Sequence, residues 1–195
     1  MKTPEPKTKI VTLERLLALR AEWRRQGRAV VWTNGCFDVM HVGHIRSLMA
    51  AAEQGDVLVV GLNSDASVRR IKGPTRPVIQ QDERAELLAA LACVDFVLIF
   101  EDDRPTPVLA RLQPEIHCKG AEYAPPNGKM VYEADTVQAY GGEIRYLPQI
   151  PDRSTSEILR RLGGAGEVIG GGAASTGAVA PSLVDNAAAQ RPMTN

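Results

Sequence analysis

The sequence is poor in cysteine and contains no long apolar run. Its three cysteines, Cys36, Cys93 and Cys118, are widely spaced and form no C-x-x-C pair. We therefore expect neither a disulfide framework nor a structural zinc site, and a reducing compartment suits this composition. No apolar stretch approaches the length of a membrane span, and the N-terminus lacks the apolar core of a signal peptide. These absences predict a soluble cytoplasmic protein without a membrane partner.

The sequence also lacks an excess of charge of either sign. Lys plus Arg and Asp plus Glu both number 23, so the formal net charge is +0. Non-specific binding to nucleic acid requires a basic excess that neutralises phosphates, and we therefore expect no nucleic-acid partner. A local basic pocket is compatible with zero net charge. The 195 residues, 44% of them hydrophobic, suffice for one domain with a substantial core.

Short β-branched runs alternate with amphipathic stretches along most of the chain. A helix is predicted at 13–27, and the polar, basic stretch 64–77 is predicted to be a loop. The remaining pattern predicts strands at 29–34, 56–63, 94–100, 115–120 and 143–148, and helices at 41–55, 80–92, 106–113, 131–142 and 154–162. Such strands joined by helices are typical of a parallel sheet covered on both faces. The predicted fold class is therefore α/β, with a doubly wound parallel sheet.

The composition divides the chain into three parts. Residues 1–28 are predicted to be an N-terminal extension with one helix, and 29–162 to be the main domain. Residues 163–195 are rich in Gly, Ala and Ser and carry few charges. This tail is predicted to be disordered, because it cannot bury enough apolar surface to offset the entropy of ordering.

An H-x-G-H stretch at 41–44 follows the first predicted strand directly. If a helix begins near Met40, His41 and His44 lie in its first turn on the same side. Free backbone N–H groups and the positive end of the helix dipole favour an anion there, and Gly43 lets a phosphate approach the backbone. Asn34 and Gly35 suit the tight turn before it. The alternative is a pair of half-buried histidines with ordinary hydrogen bonds.

Three further polar stretches also follow predicted strands or open a helix. "NSDASVRRIKG" at 63–73 is basic, "CKGAEY" at 118–123 contains a lysine beside a glycine, and "RSTSEIL" at 153–159 begins a helix with hydroxyl groups. Each alone is also explained by a solvated surface or a plain helix cap. The carboxyl ends of parallel strands meet at one edge of a sheet, so the four stretches together favour a phosphate-binding site.

The motifs "TNGCFDVMHVGH", "NSDASVRRIKG", "CKG" and "STSEIL", in this order, resemble those of the HIGH-type cytidylyltransferase-like nucleotidyltransferases. The resemblance covers about 29–162 and implies a Rossmann-like fold. Within that superfamily, "GLNSDASVRRIKGPTRPV", "LAALACVDFVLIFED" and "KGAEY" are similar to the adenylyltransferases of ADP-heptose synthesis. The implied reaction joins ATP and D-glycero-β-D-manno-heptose 1-phosphate to give ADP-heptose and pyrophosphate. The product serves lipopolysaccharide core synthesis.

The resemblance also implies roles for individual residues. The implied catalytic residues, which bind phosphates and stabilise charge, are His41, His44, Lys72 and Lys119. Asp38, together with Lys119, is implied to contact the sugar phosphate. The implied nucleotide-binding residues are Asn34, Gly35, Phe37, Gly43, Asn63, Asp65, Arg69, Ser154, Thr155 and Ser156. Mg²⁺ is expected to enter with ATP, ligated by phosphates and water, so no protein residue is predicted as a metal ligand.

The partners expected from the resemblance are ATP, a sugar 1-phosphate and a second copy of the chain in a homodimer. Because only residues 1–28 precede the first predicted strand, no kinase domain is expected, and a separate heptose kinase is expected to supply the sugar phosphate. Ala121 and Glu122 stand where the family more often has glycine and aspartate, and Gln149 stands where the glycerol phosphate branch carries arginine. The alternatives are a cytidylyltransferase for glycerol 3-phosphate or a related phospho-alcohol, and a non-catalytic nucleotide-binding regulator.

Overall fold

A computed structural model of the chain describes residues 5–148, 155 and 158–161. The strands in these ranges are β1 Val30–Gly35, β2 Val57–Asn63, β3 Phe96–Phe100, β4 Ile116–Gly120 and β5 Glu143–Leu147. The helices between them are α1 Leu13–Arg25, α2 Val42–Ala52, α3 Asp65–Lys72, α4 Gln81–Ala89, α5 Thr106–Leu112 and α6 Ala134–Ala139. Short 3₁₀ turns span Pro6–Lys9 and Ala121–Tyr123, and 155 and 158–161 are helical. The predicted tail at 163–195 lies outside the described residues.

The strands form one parallel sheet in the order β3-β2-β1-β4-β5. The chain therefore runs outward from β1 to β3 and then returns to place β4 on the other side of β1. This order confirms the predicted doubly wound α/β fold. In such sheets ligands bind at the carboxyl ends of the strands where the order reverses, which here is the gap between β1 and β4.

The two faces of the sheet carry separate apolar cores, because successive side chains of a strand point to opposite faces. Helices α2 and α4 pack on the face that contains Val31 and Leu58. Helices α1, α5 and α6 pack on the face that contains Trp32. Leu16 and Trp23 of α1 are buried in this second core, so the helix predicted within 1–28 forms part of the cover of the sheet. None of the helices in the described ranges is long and apolar enough to cross a membrane.

The prediction of a loop over 64–77 is wrong, because α3 occupies Asp65–Lys72. Ser64 caps this helix, and its Oγ accepts a hydrogen bond from the backbone N–H of Ser67 at 3.2 Å. Acidic Asp65 lies in the first turn and basic residues lie in the last turn, which suits the helix dipole. The prediction relied on the polar, basic composition of this stretch. It overlooked the Ser64 cap and the separation of apolar from polar side chains around the helix, although Val68 is the only buried apolar residue of α3.

Candidate active site

An open cleft of about 1190 Å³ lies at the carboxyl ends of β1, β2 and β4. It is therefore located where the order of the strands reverses. The predicted site residues that line it are Asn34, Gly35, Phe37, Asp38, His44, Asn63, Lys72, Lys119 and Thr155. The predicted site residues in the described part of the chain that do not line it are His41, Gly43, Asp65 and Arg69. Ser154 and Ser156 lie outside the described residues.

The two histidines form a reciprocal cap at the start of α2. His41 is the N-cap, and its Nδ1 accepts a hydrogen bond from the backbone N–H of Gly43 at 3.1 Å. The Nδ1 of His44 accepts in turn from the backbone N–H of His41 at 3.4 Å. The two rings stack with their centroids 4.0 Å apart. The local sequence thus fixes the orientation of both imidazoles without any contribution from a ligand.

This cap uses two of the backbone N–H groups at the helix start that were expected to be free for an anion. The N–H of Gly43 is taken up by His41, and the N–H of His44 donates to the carbonyl oxygen of His41 at 2.9 Å. The helix also begins at Val42 rather than near Met40, so His41 precedes the first turn. The group that this motif presents to the cleft is therefore the imidazole of His44.

His44 is neutral at physiological pH. Burial and, to a smaller extent, the neighbouring His41 lower its pKa from 6.5 to about 4. Because Nδ1 of the neutral ring accepts a hydrogen bond, the proton resides on Nε2, on the opposite edge of the ring. Phe37 packs edge-on against this ring with the centroids 5.4 Å apart. His44 therefore offers the cleft an N–H donor that carries no permanent charge.

Asp38 fastens the segment between α3 and α4. Its Oδ1 accepts hydrogen bonds from the backbone N–H groups of Val78 at 2.7 Å and Ile79 at 3.0 Å. Its Oδ2 lies 2.5 Å from Nε of Arg76. The carboxylate lines the cleft, but these donors occupy acceptor sites on both oxygens. Its evident role in this structure is to hold 76–79 beside the cleft, whereas contact with sugar hydroxyls stays a prediction.

Arg84 is fully buried and ties the ends of β1 and β2 together, a role that the sequence pattern did not reveal. Its guanidinium donates to the carbonyl oxygens of Cys36 and, at 3.0 Å, Asn63. It also donates to Asp65 Oδ1 at 2.7 Å, so Asp65 helps to hold the guanidinium of Arg84 in place. The signal available in the sequence is its position on the apolar face of α4, one turn before Leu88.

Polar contacts at the end of β2 attach the loop after β3 to α3. Asn63 is buried, and its Nδ2 donates to Ser67 Oγ at 2.9 Å and to the carbonyl oxygen of Asp102 at 3.3 Å. Arg70 pairs with Asp103 at 2.7 Å. Asn63, Arg70 and both aspartates line the cleft. This side of the cleft is therefore set by hydrogen bonds between neighbouring loops.

On the other side of the cleft, Lys119 lies near the carboxyl end of β4 and is held by Glu133, which immediately precedes α6. Its Nζ lies 2.5 Å from Glu133 Oε1, and the same oxygen lies 2.9 Å from Nε2 of the buried His117. Lys119 also lies above the ring of Tyr123, 5.1 Å from its centroid. Sequence reasoning identified the lysine but not the glutamate, because 14 positions separate them and only the fold brings them together.

The cations of the cleft differ in how far their charges are compensated. Arg70, Arg76 and Lys119 are each paired with a carboxylate. Lys72, at the end of α3, is exposed and has no carboxylate partner among residues 5–148, 155 and 158–161. An uncompensated ammonium beside paired cations favours an anionic ligand, and phosphate is the anion that the neutral donor of His44 also suits.

The lining of the cleft also includes two buried acceptors and a flat aromatic surface. Oδ1 of Asn34 and Oε2 of Glu122 are buried and have no hydrogen-bond partner within the described residues. Both oxygens are shielded from solvent, so a ligand could reach them only after their side chains moved. Arg104 Cζ lies 3.6 Å from the centroid of the exposed Tyr132 ring, and both residues line the cleft. This exposed stacked pair suits a ligand that carries a planar ring in addition to phosphates.

Comparisons with curated proteins match most of this chain to part of longer proteins. The bifunctional protein HldE of Trichlorobacter lovleyi is 46% identical over 155 residues, which cover 80% of this chain and 31% of that protein. The bifunctional protein HldE of Syntrophotalea carbinolica is 48% identical over 139 residues, which cover 71% of this chain and 28% of that protein. The match thus spans less than a third of the length of these relatives.

Two solved structures share the fold at low sequence identity. The lipopolysaccharide core biosynthesis protein of Thermoplasma volcanium has a TM-score of 0.51 at 24% identity, covering 64% of this chain and 98% of that one. The pantoate-beta-alanine ligase of Francisella tularensis has a TM-score of 0.51 at 15% identity, covering 75% of this chain and 68% of that one. The family model described as cytidylyltransferase-like matches residues 32–161. With the parallel sheet, the capped histidine pair and the cleft at the strand ends in place, this match shows that the chain belongs to the cytidylyltransferase-like family of nucleotidyltransferases.

Proposed function

We propose that this protein transfers the AMP group of ATP to D-glycero-β-D-manno-heptose 1-phosphate, which gives ADP-heptose and pyrophosphate. The observation that carries the proposal is the neutral ring of His44, oriented by its cap, in the same cleft as Lys72, which has no carboxylate partner among the described residues. Family membership supports nucleotidyl transfer. The motif resemblance and the similarity to the HldE proteins support a heptose phosphate as acceptor.

The proposed reaction is a single in-line displacement. An oxygen of the sugar phosphate attacks the α-phosphorus of ATP, and a new P–O bond forms while the bond to the bridging oxygen of pyrophosphate breaks. The electron pair of that bond leaves with pyrophosphate, and no covalent enzyme intermediate is needed. Catalysis of this kind depends on positioning and on stabilising the charge that develops on phosphate oxygens.

Four residues are proposed to act on the phosphates. The Nε2–H of His44 donates to an oxygen whose charge grows as the bond to pyrophosphate breaks, and His41 holds that ring in place. Lys72 and Lys119 neutralise the phosphates of the nucleotide and the sugar. A neutral donor and nearby cations suit this task because the charge on the phosphate oxygens that they contact grows in the transition state.

The remaining lining residues are proposed to shape the substrate pockets. Thr155 Oγ1 donates to the carbonyl oxygen of Val39 at 3.2 Å, which places the threonine beside the histidine motif. Asn34, Gly35 and Phe37 line the cleft at the end of β1 and are proposed to contact the nucleotide. Gly43, Asp65 and Arg69 do not line the cleft, so any contribution from them would be indirect.

Mg²⁺ is proposed to enter with ATP. The described residues contain no group of three or more His, Cys, Asp or Glu that could hold a metal ion. Mg²⁺ in nucleotide sites usually takes most of its ligands from phosphates and water. When bound, the ion would neutralise charge on the phosphates. The proposal also includes a homodimer and a kinase reaction that supplies the heptose phosphate for lipopolysaccharide core synthesis.

The test measures pyrophosphate release by the purified protein with Mg²⁺ in four pairings. ATP or CTP is combined with heptose 1-phosphate or glycerol 3-phosphate. We expect pyrophosphate release in only one pairing, that of ATP with heptose 1-phosphate. Release with CTP and glycerol 3-phosphate alone would keep nucleotidyl transfer but replace both substrates. Binding of ATP without release in any pairing would favour a non-catalytic regulator.

A further inference from the structure

Glu133 is a buried carboxylate that the proposed chemistry does not use directly. It is 3% exposed, and it lies where the chain enters α6. A single oxygen, Oε1, contacts both Lys119 Nζ at 2.5 Å and His117 Nε2 at 2.9 Å. A glutamate is rarely buried to this extent unless its charge is paired, so these two contacts explain why it is tolerated here.

The carboxylate is ionised at neutral pH. Burial alone would raise the pKa of Glu133, but the hydrogen bond from His117 and the charge of Lys119 outweigh burial and lower it to about 2. Burial lowers the pKa of His117, so its imidazole is neutral and its Nε2–H donates to the carboxylate. His117 thus anchors Glu133 to β4, and Glu133 presents a fixed negative charge to the end of the same strand.

The fixed charge restricts Lys119 to one position. A lysine head group on four rotatable bonds ordinarily samples many rotamers in water. The side chain of Lys119 is only 12% exposed, with Glu133 at its ammonium and the ring of Tyr123 5.1 Å from Nζ. Lys119, Tyr123 and Glu133 all line the cleft. The ammonium is therefore held at the wall where a phosphate would contact it.

We propose that Glu133 is a positioning residue that acts through Lys119 in nucleotidyl transfer. The catalytic consequence rests on the proposed function, whereas the restraint on the lysine can be tested separately. A rival interpretation makes Glu133 an inhibitory anion that competes with the substrate phosphate for Lys119. The two interpretations predict opposite effects of removing its charge.

The kinetic test is a double-mutant cycle with Glu133→Gln and Lys119→Met. Glutamine keeps the size of the side chain and an acceptor for His117 but loses the charge. We expect Glu133→Gln to lower kcat by about tenfold, because misplaced catalytic groups cost rates of this order. In the Lys119→Met background, the same substitution should lower kcat by less than about twofold, since residues that act as one unit are not additive. Asp135→Asn, on the exposed surface of α6, is the matched control.

If Glu133→Gln lowers kcat by the same factor in the wild-type and Lys119→Met backgrounds, Glu133 is a structural residue that does not act through Lys119. If Glu133→Gln raises kcat, Glu133 has the inhibitory role. Unfolding of each variant in urea is measured first. If Glu133→Gln does not fold, Glu133→Asp replaces it, because aspartate keeps the charge but moves it by one methylene. The same lack of additivity is then expected.

A second measurement does not depend on turnover. The rate at which an N-hydroxysuccinimide ester acetylates Lys119 is followed by peptide mass spectrometry. Loss of the ion pair in Glu133→Gln should speed this labelling several-fold, whereas Asp135→Asn should leave it unchanged. If the wild type releases no pyrophosphate with any substrate pair, the proposed function fails. The labelling rates still show whether Glu133 restrains Lys119. Unchanged labelling in Glu133→Gln would overturn the inference even in an active enzyme.

Discussion

The imidazole rings of His41 and His44 stack 4.0 Å apart, and the Nδ1 of each accepts a hydrogen bond from a backbone N–H at the start of α2. The rings thus replace the hydroxyl or carboxylate that usually caps a helix. The same bonds determine which nitrogen of His44 carries the proton. A donor whose direction is already fixed needs little reorganisation when charge develops on a phosphate, and this is the main route by which enzymes stabilise such charge.

Replacement of His44 by alanine should lower kcat by about a hundredfold or more, the order seen when one donor to a transition state is removed. Pyrophosphate release with saturating substrates is the measurement. Arg46→Ala is the matched control, because Arg46 is exposed on the same helix and does not line the cleft. A His44→Ala protein with near-normal turnover would remove His44 from the mechanism.

The ring of His44 should titrate well below the range of an ordinary histidine. Its pKa is lowered from 6.5 to about 4 by burial and by His41, so between these values the unfolded chain binds the proton and the folded protein does not. Folding stability from this group should therefore fall as the pH drops from 6.5 towards 4. NMR titration of the imidazole gives the pKa directly. Urea unfolding of wild type and His44→Gln across this pH range shows how much of the pH dependence of the free energy of unfolding comes from His44. A midpoint near 6.5 would show that the ring is not held neutral.

Lys72 and Arg69 lie on the same helix, but only Lys72 lines the cleft. Lys72→Met should lower kcat/KM by about tenfold or more, because it removes a cation that stabilises the charge on phosphates. Arg69→Met should change kcat/KM by less than about threefold, since this exposed residue contacts the site at most indirectly. Equal losses in both variants would mean that only the overall charge of α3 matters, and a higher ionic strength would then abolish the effect.

Replacement of Asp38 by asparagine should destabilise the fold and loosen 76–79. The amide keeps one oxygen that can accept from Val78 and Ile79, but its NH2 group then faces the Nε–H donor of Arg76, which loses its acceptor. Leaving such a buried group without an acceptor costs about 1–3 kcal/mol in the free energy of unfolding, which urea denaturation measures. Asp82→Asn in the exposed first turn of α4 is the control and should cost less than about 1 kcal/mol. Equal stability of Asp38→Asn and wild type would show that the hydrogen bonds from 76–79 to Asp38 are not formed in solution.

The sheet and the location of the cleft were predictable because they depend on patterns that are local in sequence. Continuous apolar runs such as that of β2, in which every residue is buried, indicate a strand covered on both faces. Polar residues directly after such runs, such as Asn63 and Lys119, then meet at one edge because parallel strands end together. The prediction of α3 failed because the polar, basic composition of 64–77 was taken to indicate a loop, although the Ser64 cap and the one-sided placement of apolar residues are local signals of a helix.

The residues that support the site were not predictable in the same way. Arg84 and Glu133 are charged side chains whose partners lie far away in sequence, and only the folded chain shows that both are buried. The histidine motif was identified, but its hydrogen bonding was not. A helix start near Met40 predicted free backbone N–H groups, whereas His41 occupies the cap and takes the N–H of Gly43.

The most direct test of the central claim is the identity of the product made by the wild-type protein from ATP and D-glycero-β-D-manno-heptose 1-phosphate with Mg²⁺. Mass spectrometry and phosphorus NMR would identify the product, and pyrophosphate would be quantified in the same reaction. The account predicts ADP-heptose and pyrophosphate in equal amounts, with the yield at a fixed early time falling at least about a hundredfold in His44→Ala. Recovery of unchanged ATP and heptose phosphate from a folded protein that converts another nucleotide and phosphate ester would contradict it.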